Sequence, residues 1–249
     1  MLKSIRPLSP GKYKFPFKFK MPDKVPPSCI YSLDSETKKA GCSCTYVLYC
    51  QILDYSGVIG REKWQIEVLQ TPKPIVQEIK FDITRNIRTW CFCNYGTVDI
   101  RFVLEKDTIR MDEVVTLRIN ANLKQSKLGI KAMHIHVQRC LHLGKGNAIQ
   151  KPRLDNILTV SVEGFPRGTV SQEDIVAELD MRQAAINDAP KDVLRTLEIL
   201  GGRYIQQTVT GKLICWAYQL LIEVEMERKL LKKCKIQRVI PLHVIGSEI

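Results

Sequence analysis

KLICWAYQLLIEVEM, residues 212–226, places Ile214, Trp216, Tyr218, Leu220, Ile222, Val224 and Met226 at every second position. Successive side chains of an extended chain point to opposite sides, so seven apolar residues with period two form one buried face of a strand. The same period recurs on both sides of this stretch. Downstream, past the basic residues Arg228, Lys229, Lys232, Lys233 and Lys235, a last strand is expected around Ile236 to Val244. Upstream the apolar sets are Ile79, Phe81 and Ile83; Val98, Ile100, Phe102 and Leu104; Val115, Leu117 and Ile119; Met133, Ile135 and Val137; and Leu158, Val160 and Val162. Many short strands with little helix between them predict antiparallel sheets packed as a sandwich.

Closer to the N-terminus the alternation continues in Lys12-Tyr13-Lys14-Phe15-Pro16-Phe17-Lys18-Phe19-Lys20. Every odd residue there is aromatic and the even ones are lysine or proline, which predicts a half-buried strand with its rings in the core. Pro16 has no N–H to give to a ladder, so this strand belongs at an edge or a bulge. A proline-rich turn from Met21 to Ser28 follows, then a run from Cys42 to Leu53 with Cys42, Cys44, Tyr46, Leu48, Cys50 and Ile52 on one side. Trp64, Ile66 and Val68 make a third run, and Thr71-Pro72-Lys73-Pro74 reads as a stiff linker. The boundary placed there gives residues 1–72 as a partial β domain and residues 73–249 as a whole sandwich. Three or four strands before Pro72 fall short of the roughly seven that a sandwich of this type uses.

Between strands, Ser171 followed by Gln172-Glu173-Asp174 resembles a helix N-cap with an acidic first turn, and Ile175, Leu179 and Ala185 are spaced for one helical face. A second short helix is expected from Pro190 to Gly201-Gly202. The expected class is therefore all-β with a short helical insertion between residues 171 and 200.

The 249 residues are 45% apolar and 26% charged, enough to bury a core and too apolar for a wholly disordered chain. No run approaches the roughly 18 apolar residues of a spanning helix, and Met1 to Pro7 holds no apolar signal core. The nine cysteines, several beside aliphatic strand residues, read as reduced thiols in a cytoplasmic protein rather than a disulfide framework. A net charge of +12 points to acidic partners.

Candidate chemistry is sparse. His134 and His136 form an H-x-H pair, with His142 on the same parity, a pattern that can hold zinc or nickel. Met133, Ile135 and Val137 take the core face, so the histidines fall on the solvent face with Gln138, and the expectation is no metal and no cofactor. Cys42-Ser43-Cys44 and Cys91-Phe92-Cys93 lack the wider spacing of structural zinc ligands. Gly144-Lys145-Gly146-Asn147 suits a hairpin turn and matches no phosphate loop. No nucleophile elbow or metalloprotease helix is present, so no enzyme is expected. Lysines interleaved with aromatics at residues 12–20 could stack bases, but period two puts the two sets on opposite faces, and nucleic acid is not expected. Leu221 to Glu225 matches a short clathrin-box-like pattern, buried in mid-strand.

Taken in order, these segments resemble the arrestin family, in particular its arrestin-domain-containing trafficking proteins. Phe15-Pro16-Phe17-Lys18-Phe19-Lys20-Met21-Pro22 with Val25-Pro26-Pro27-Ser28 is similar to the family's F-P-F-x-F-x-L-P-x-x-L-P-x-S segment. Tyr46 to Leu53 resembles the Y-x-V-x-A-x-L-D strand that follows it. Cys93 to Ile100, Leu104-Glu105-Lys106 and Glu113 to Leu117 resemble C-x-x-G-x-I-x-I, L-x-K and G-E-x-I-x-I, with Asp112 at the glycine position. Gly211 to Leu220 and Ile240 to Gly246 are similar to the closing hairpin.

The resemblance covers the end of an N-terminal domain and all of a C-terminal one, and implies an arrestin-like, immunoglobulin-type β-sandwich whose first sandwich is incomplete. It further implies a non-enzymatic adaptor for cytoplasmic tails of membrane proteins or for trafficking proteins, cytoplasmic and peripheral at the plasma membrane or endosomes. With the basic charge it suggests acidic phospholipid or phosphorylated peptide as partners. Lys12, Lys14, Lys18 and Lys20 are the candidate partner-binding residues. The alternative is a structural subunit whose incomplete sandwich is completed by another chain. A metalloenzyme using His134, His136 and His142 is the enzymatic rival.

Overall fold

A computed structural model describes residues 11–22, 25–31, 42–54, 57–66, 68, 78–88, 93–145, 148–149, 153–187, 207–211, 214–227 and 236–245. Before residue 68 the strands are β1 (Cys29–Tyr31), β2 (Cys42–Cys44), β3 (Tyr46–Asp54) and β4 (Gly57–Ile66). Beyond it lie β5 (Ile79–Arg88), β6 (Asn94–Leu104), β7 (Thr108–Arg110), β8 (Val114–Asn122), β9 (Ile130–Lys145), β10 (Ala148–Ile149) and β11 (Arg153–Phe165). The chain continues through β12 (Ile175–Asp180), helix α1 (Met181–Asn187), β13 (Val209–Thr210), β14 (Ile214–Met226) and β15 (Ile236–Ile245).

The fold is an all-β sandwich. One sheet runs β12-β8-β6-β5 and is antiparallel throughout. In the other, β14 lies between β9 and β15, β11 extends the β9 side, and β7 joins β15 in parallel. The alternation in residues 212–226 is thus the central strand of the larger sheet. Its even residues from Trp216 to Met226 are buried, beside Met133, Ile135 and Val137 of the neighbouring β9, in one continuous core with Val98, Ile100, Phe102, Leu117 and Ile119 of the smaller sheet. Phe81 stacks on Phe102 with ring centroids 5.0 Å apart. Each such side chain contributes roughly 1.5–3 kcal/mol on leaving water, so these interdigitated rows hold the two sheets together.

At the sandwich end that joins β6 to β8, Lys106 and Glu113 pair at 2.6 Å, and the same carboxylate accepts the Arg110 N–H at 2.5 Å. This pairing makes Lys106 and Glu113 a charged clasp on the turn around β7. β9 and β10 pair through Lys145 and Ala148, as a hairpin at Gly144-Lys145-Gly146-Asn147 requires.

Two expectations are corrected. Residues 175–179 are strand, not helix: Ile175, Ala177 and Leu179 face inward from β12, which pairs residue by residue with β8. A spacing of four belongs to both periods, and the open edge of β8 selects the extended form. Ser171 docks this edge instead of capping a helix, giving its N–H to the Ala121 carbonyl and accepting the Ala121 N–H on its hydroxyl at 3.1 Å. The true cap is Asp180, whose carboxylate takes the Arg182 N–H at 3.0 Å and pairs with the Arg182 side chain. Met181 and Ala184 then bury one face of α1. The helix expected from Pro190 to Gly201 lies outside the described residues.

Residues 12–20 form no strand. The segment is extended, every residue from Gly11 to Lys20 is exposed, and no described strand pairs with it. Alternation specifies the two faces of a strand, but a strand also needs a neighbouring backbone, and this segment finds none among the described residues.

Candidate interaction surface

Lys12, Lys14, Lys18 and Lys20 all lie in water on this extended segment, and no acidic residue stands between Gly11 and Pro22. The rings expected in the core are exposed as well: Tyr13 stacks on Phe15 at 6.2 Å and Phe17 on Phe19 at 6.3 Å. The stacks join residues two apart, so rings and ammonium groups keep opposite sides of the backbone. Four like charges on one side make a salt-sensitive attraction for an acidic chain or surface.

The segment leaves the body of the protein at a well-tied point. The Tyr46 hydroxyl donates to the Pro26 carbonyl at 2.6 Å, and the Cys44 thiol lies 3.7 Å from the same phenol oxygen. Burial, helped by that thiol and by Cys29, pushes the Tyr46 phenol up to about 12. Ser28 and Val68 exchange two hydrogen bonds, and the buried Gln207 gives its amide to the Val68 carbonyl at 3.1 Å. Cys29 is buried in the sandwich core beside its cross-strand partner Cys44. Cys29, Cys44, Cys50, Cys93, Cys140 and Cys215 take part in no disulfide.

From this anchor β3 and β4 project as a two-stranded hairpin. Tyr46, Leu48 and Ile66 are half-buried at its base, whereas Ile52 and Trp64 on the same face are exposed. Val47, Tyr49 and Leu53 are exposed on the other face.

His134 and His136 lie on the outer face of the larger sheet, as their parity requires. Their Nδ1 atoms sit 2.9 Å from the hydroxyls of Ser161 and Thr159 on β11. Their Nε2 atoms face Glu225 at 3.7 Å and Glu223 at 3.8 Å on β14. Burial is the main cause that pushes the His136 imidazole below its ordinary range, against the opposing pull of Glu223. His142 pairs with Cys215 farther along the same two strands. Among the described residues no three His, Cys, Asp or Glu side chains are grouped to hold a metal. The row is a cross-strand ladder of polar pairs.

Sequence reasoning missed a groove on the outer face of the smaller sheet, lined by Glu78, Lys80, Asp82, Arg101, Arg118 and Asp174. Its charges neutralise one another: Glu78 pairs with Arg118 at 2.5 Å and with Lys80 at 3.1 Å, and Arg101 with Asp82 at 3.6 Å. The hydrogen bond from Lys80 is the main cause that lowers the Glu78 carboxyl. The signal was available in the outward parity of β5, β6 and β8. No family model and no curated protein matches this sequence.

Proposed function

We propose that the chain is a non-enzymatic, arrestin-like adaptor that binds acidic or phosphorylated cytoplasmic segments of membrane proteins or trafficking proteins at a membrane surface. The observation that carries this reading is the row of exposed lysines, Lys12, Lys14, Lys18 and Lys20, on an extended segment without a single acid. The ordered resemblance of residues 15–28, 93–117 and 211–246 to the arrestin family supplies the class of partner. An extended acidic peptide lying along this row meets several ammonium groups at once, and such contacts set encounter rate and specificity.

The test is fluorescence anisotropy with an acidic peptide carrying phosphoserines, and with its unphosphorylated twin. The phosphorylated peptide is expected to bind more tightly, more weakly as salt is raised, and at least tenfold more weakly to a protein with all four lysines changed to glutamate. Equal affinity for the charge-reversed protein overturns the assignment. A second reading, a structural subunit completed by another chain, is favoured by the two-stranded hairpin and the exposed Ile52 and Trp64 on one of its faces.

A further inference from the structure

Two apolar surfaces of this chain are exposed. Tyr13, Phe15, Phe17 and Phe19 are 45–64% exposed. With 150–250 Å² per aromatic side chain, they leave roughly 400 Å² of ring surface in water. The β3–β4 hairpin has only two strands, which is marginal in water. Among the described residues β3 pairs with β4 alone, so its other edge carries no described partner. The segment Lys12–Lys20 and β3 are each nine residues long, and β3 carries apolar side chains on both faces.

We propose that two copies of this chain exchange these segments, each Lys12–Lys20 run adding as a third strand beside β3 of the other copy. This deepens the completed-subunit reading by naming the completing chain, and it stands apart from the adaptor reading. In this arrangement the rings continue the apolar face of Leu48, Ile52 and Trp64. Pro16 sits on an outermost strand, where its missing N–H faces water. Lys12, Lys14, Lys18 and Lys20 stay on the outer face.

Closure within one chain is opposed by the anchor. Pro26 is held against Tyr46 at the base of β3. An antiparallel strand continued back from that contact sets Pro22 opposite Cys50 and carries Tyr13 to Phe17 past Asp54, the end of β3. Pro22, Pro26 and Pro27 also lack donors and stiffen the connection, so the aromatic half of the segment reaches a β3 edge in a neighbour rather than in its own chain. A stiff hinge of this kind favours strand exchange. Reciprocal exchange is closed by a two-fold axis and pairs the open β3 edge on both copies.

The test is light scattering behind size exclusion on the full chain over a wide concentration range, with short amine-reactive cross-linking of the same samples. A mass of two chains is expected, with cross-links from Lys14 or Lys18 to Lys63 confined to the covalent dimer. Phe15→Glu combined with Phe17→Glu alters exposed rings only. It is expected to weaken dimerisation at least tenfold while the circular dichroism of the sandwich is unchanged. Reversing the four lysine charges is expected to leave the dimer intact. A monomer at every concentration overturns the exchange, and a dimer indifferent to the ring substitutions does the same. Lys63 cross-links within the monomer, or insertion of the rings into anionic vesicles by a monomeric chain, also overturn it. A monomer that still binds the phosphopeptide leaves the adaptor reading standing.

Discussion

His136 shows how far a single side chain departs from what its sequence position suggests. Period two put it on the solvent face, yet its side chain is only 14% exposed, held between the Thr159 hydroxyl and the Glu223 carboxylate. The groups that face it are Glu223 on β14 and its neighbour His134 on β9. Loss of hydration on charging outweighs the attraction of Glu223, and the His134 charge adds to the lowering. The unfolded chain therefore takes up this proton at higher pH than the folded one, near the ordinary imidazole value of about 6.5. The contribution to stability is fully present above that value and is lost as pH falls through the depressed folded value. The melting temperature is expected to drop on mild acidification, and His136→Gln to flatten that drop. The same acid limb in wild type and variant would show that other groups carry it.

At the scale of elements, Gly96 opens β6 where no other residue fits. Its φ is +87°, the Asn94 side chain accepts its N–H at 2.9 Å, and a Cβ would run into the Gln125 backbone carbonyl. Gly168 has a similar φ of +74° with open space around it. Gly168→Ala is expected to lower stability by about 1 kcal/mol through backbone strain alone, and Gly96→Ala by about 2–4 kcal/mol, because strand and turn must also move apart. Urea midpoints measure both, and equal losses would refute the collision. The elements themselves were legible where a buried face repeats every second residue, as in β6, β8, β9 and β14. Ile175 and Leu179 misled because a four-residue spacing fits helix and strand alike, and only the edge of β8 decides between them. The Tyr13 to Phe19 rings misled for a different reason: alternation fixes which side chains share a face, not whether another backbone arrives to pair. The lysine row was visible as sequence. The hydrogen bonds of Tyr46, Val68 and Gln207 were not, since they join residues up to 139 positions apart.

Across the whole molecule stability is graded from the sandwich outward. β14 is paired along most of its length on both sides, with β9 on one edge and β13 and β15 on the other, and its inward face is covered from Trp216 to Met226. Opening it breaks two ladders and exposes Trp216, Tyr218, Leu220 and Ile222 to water. The β3–β4 hairpin is tied to the rest by few described contacts, chiefly through Tyr46, Ser28 and Val68, and exposes apolar residues on both faces. Local opening free energies follow such differences in burial, from near zero at frayed parts to the global value in the core. Hydrogen exchange in dilute protein is therefore expected to be slowest in β9 and β14 and orders of magnitude faster in β3 and β4. Raising the concentration should slow exchange in β3 while leaving β14 unchanged, since an added strand protects the edge it pairs with and mass action favours the paired form. Hairpin amides as slow as those of β14 in dilute protein would mean that the hairpin is already part of the core, with no edge left to fill.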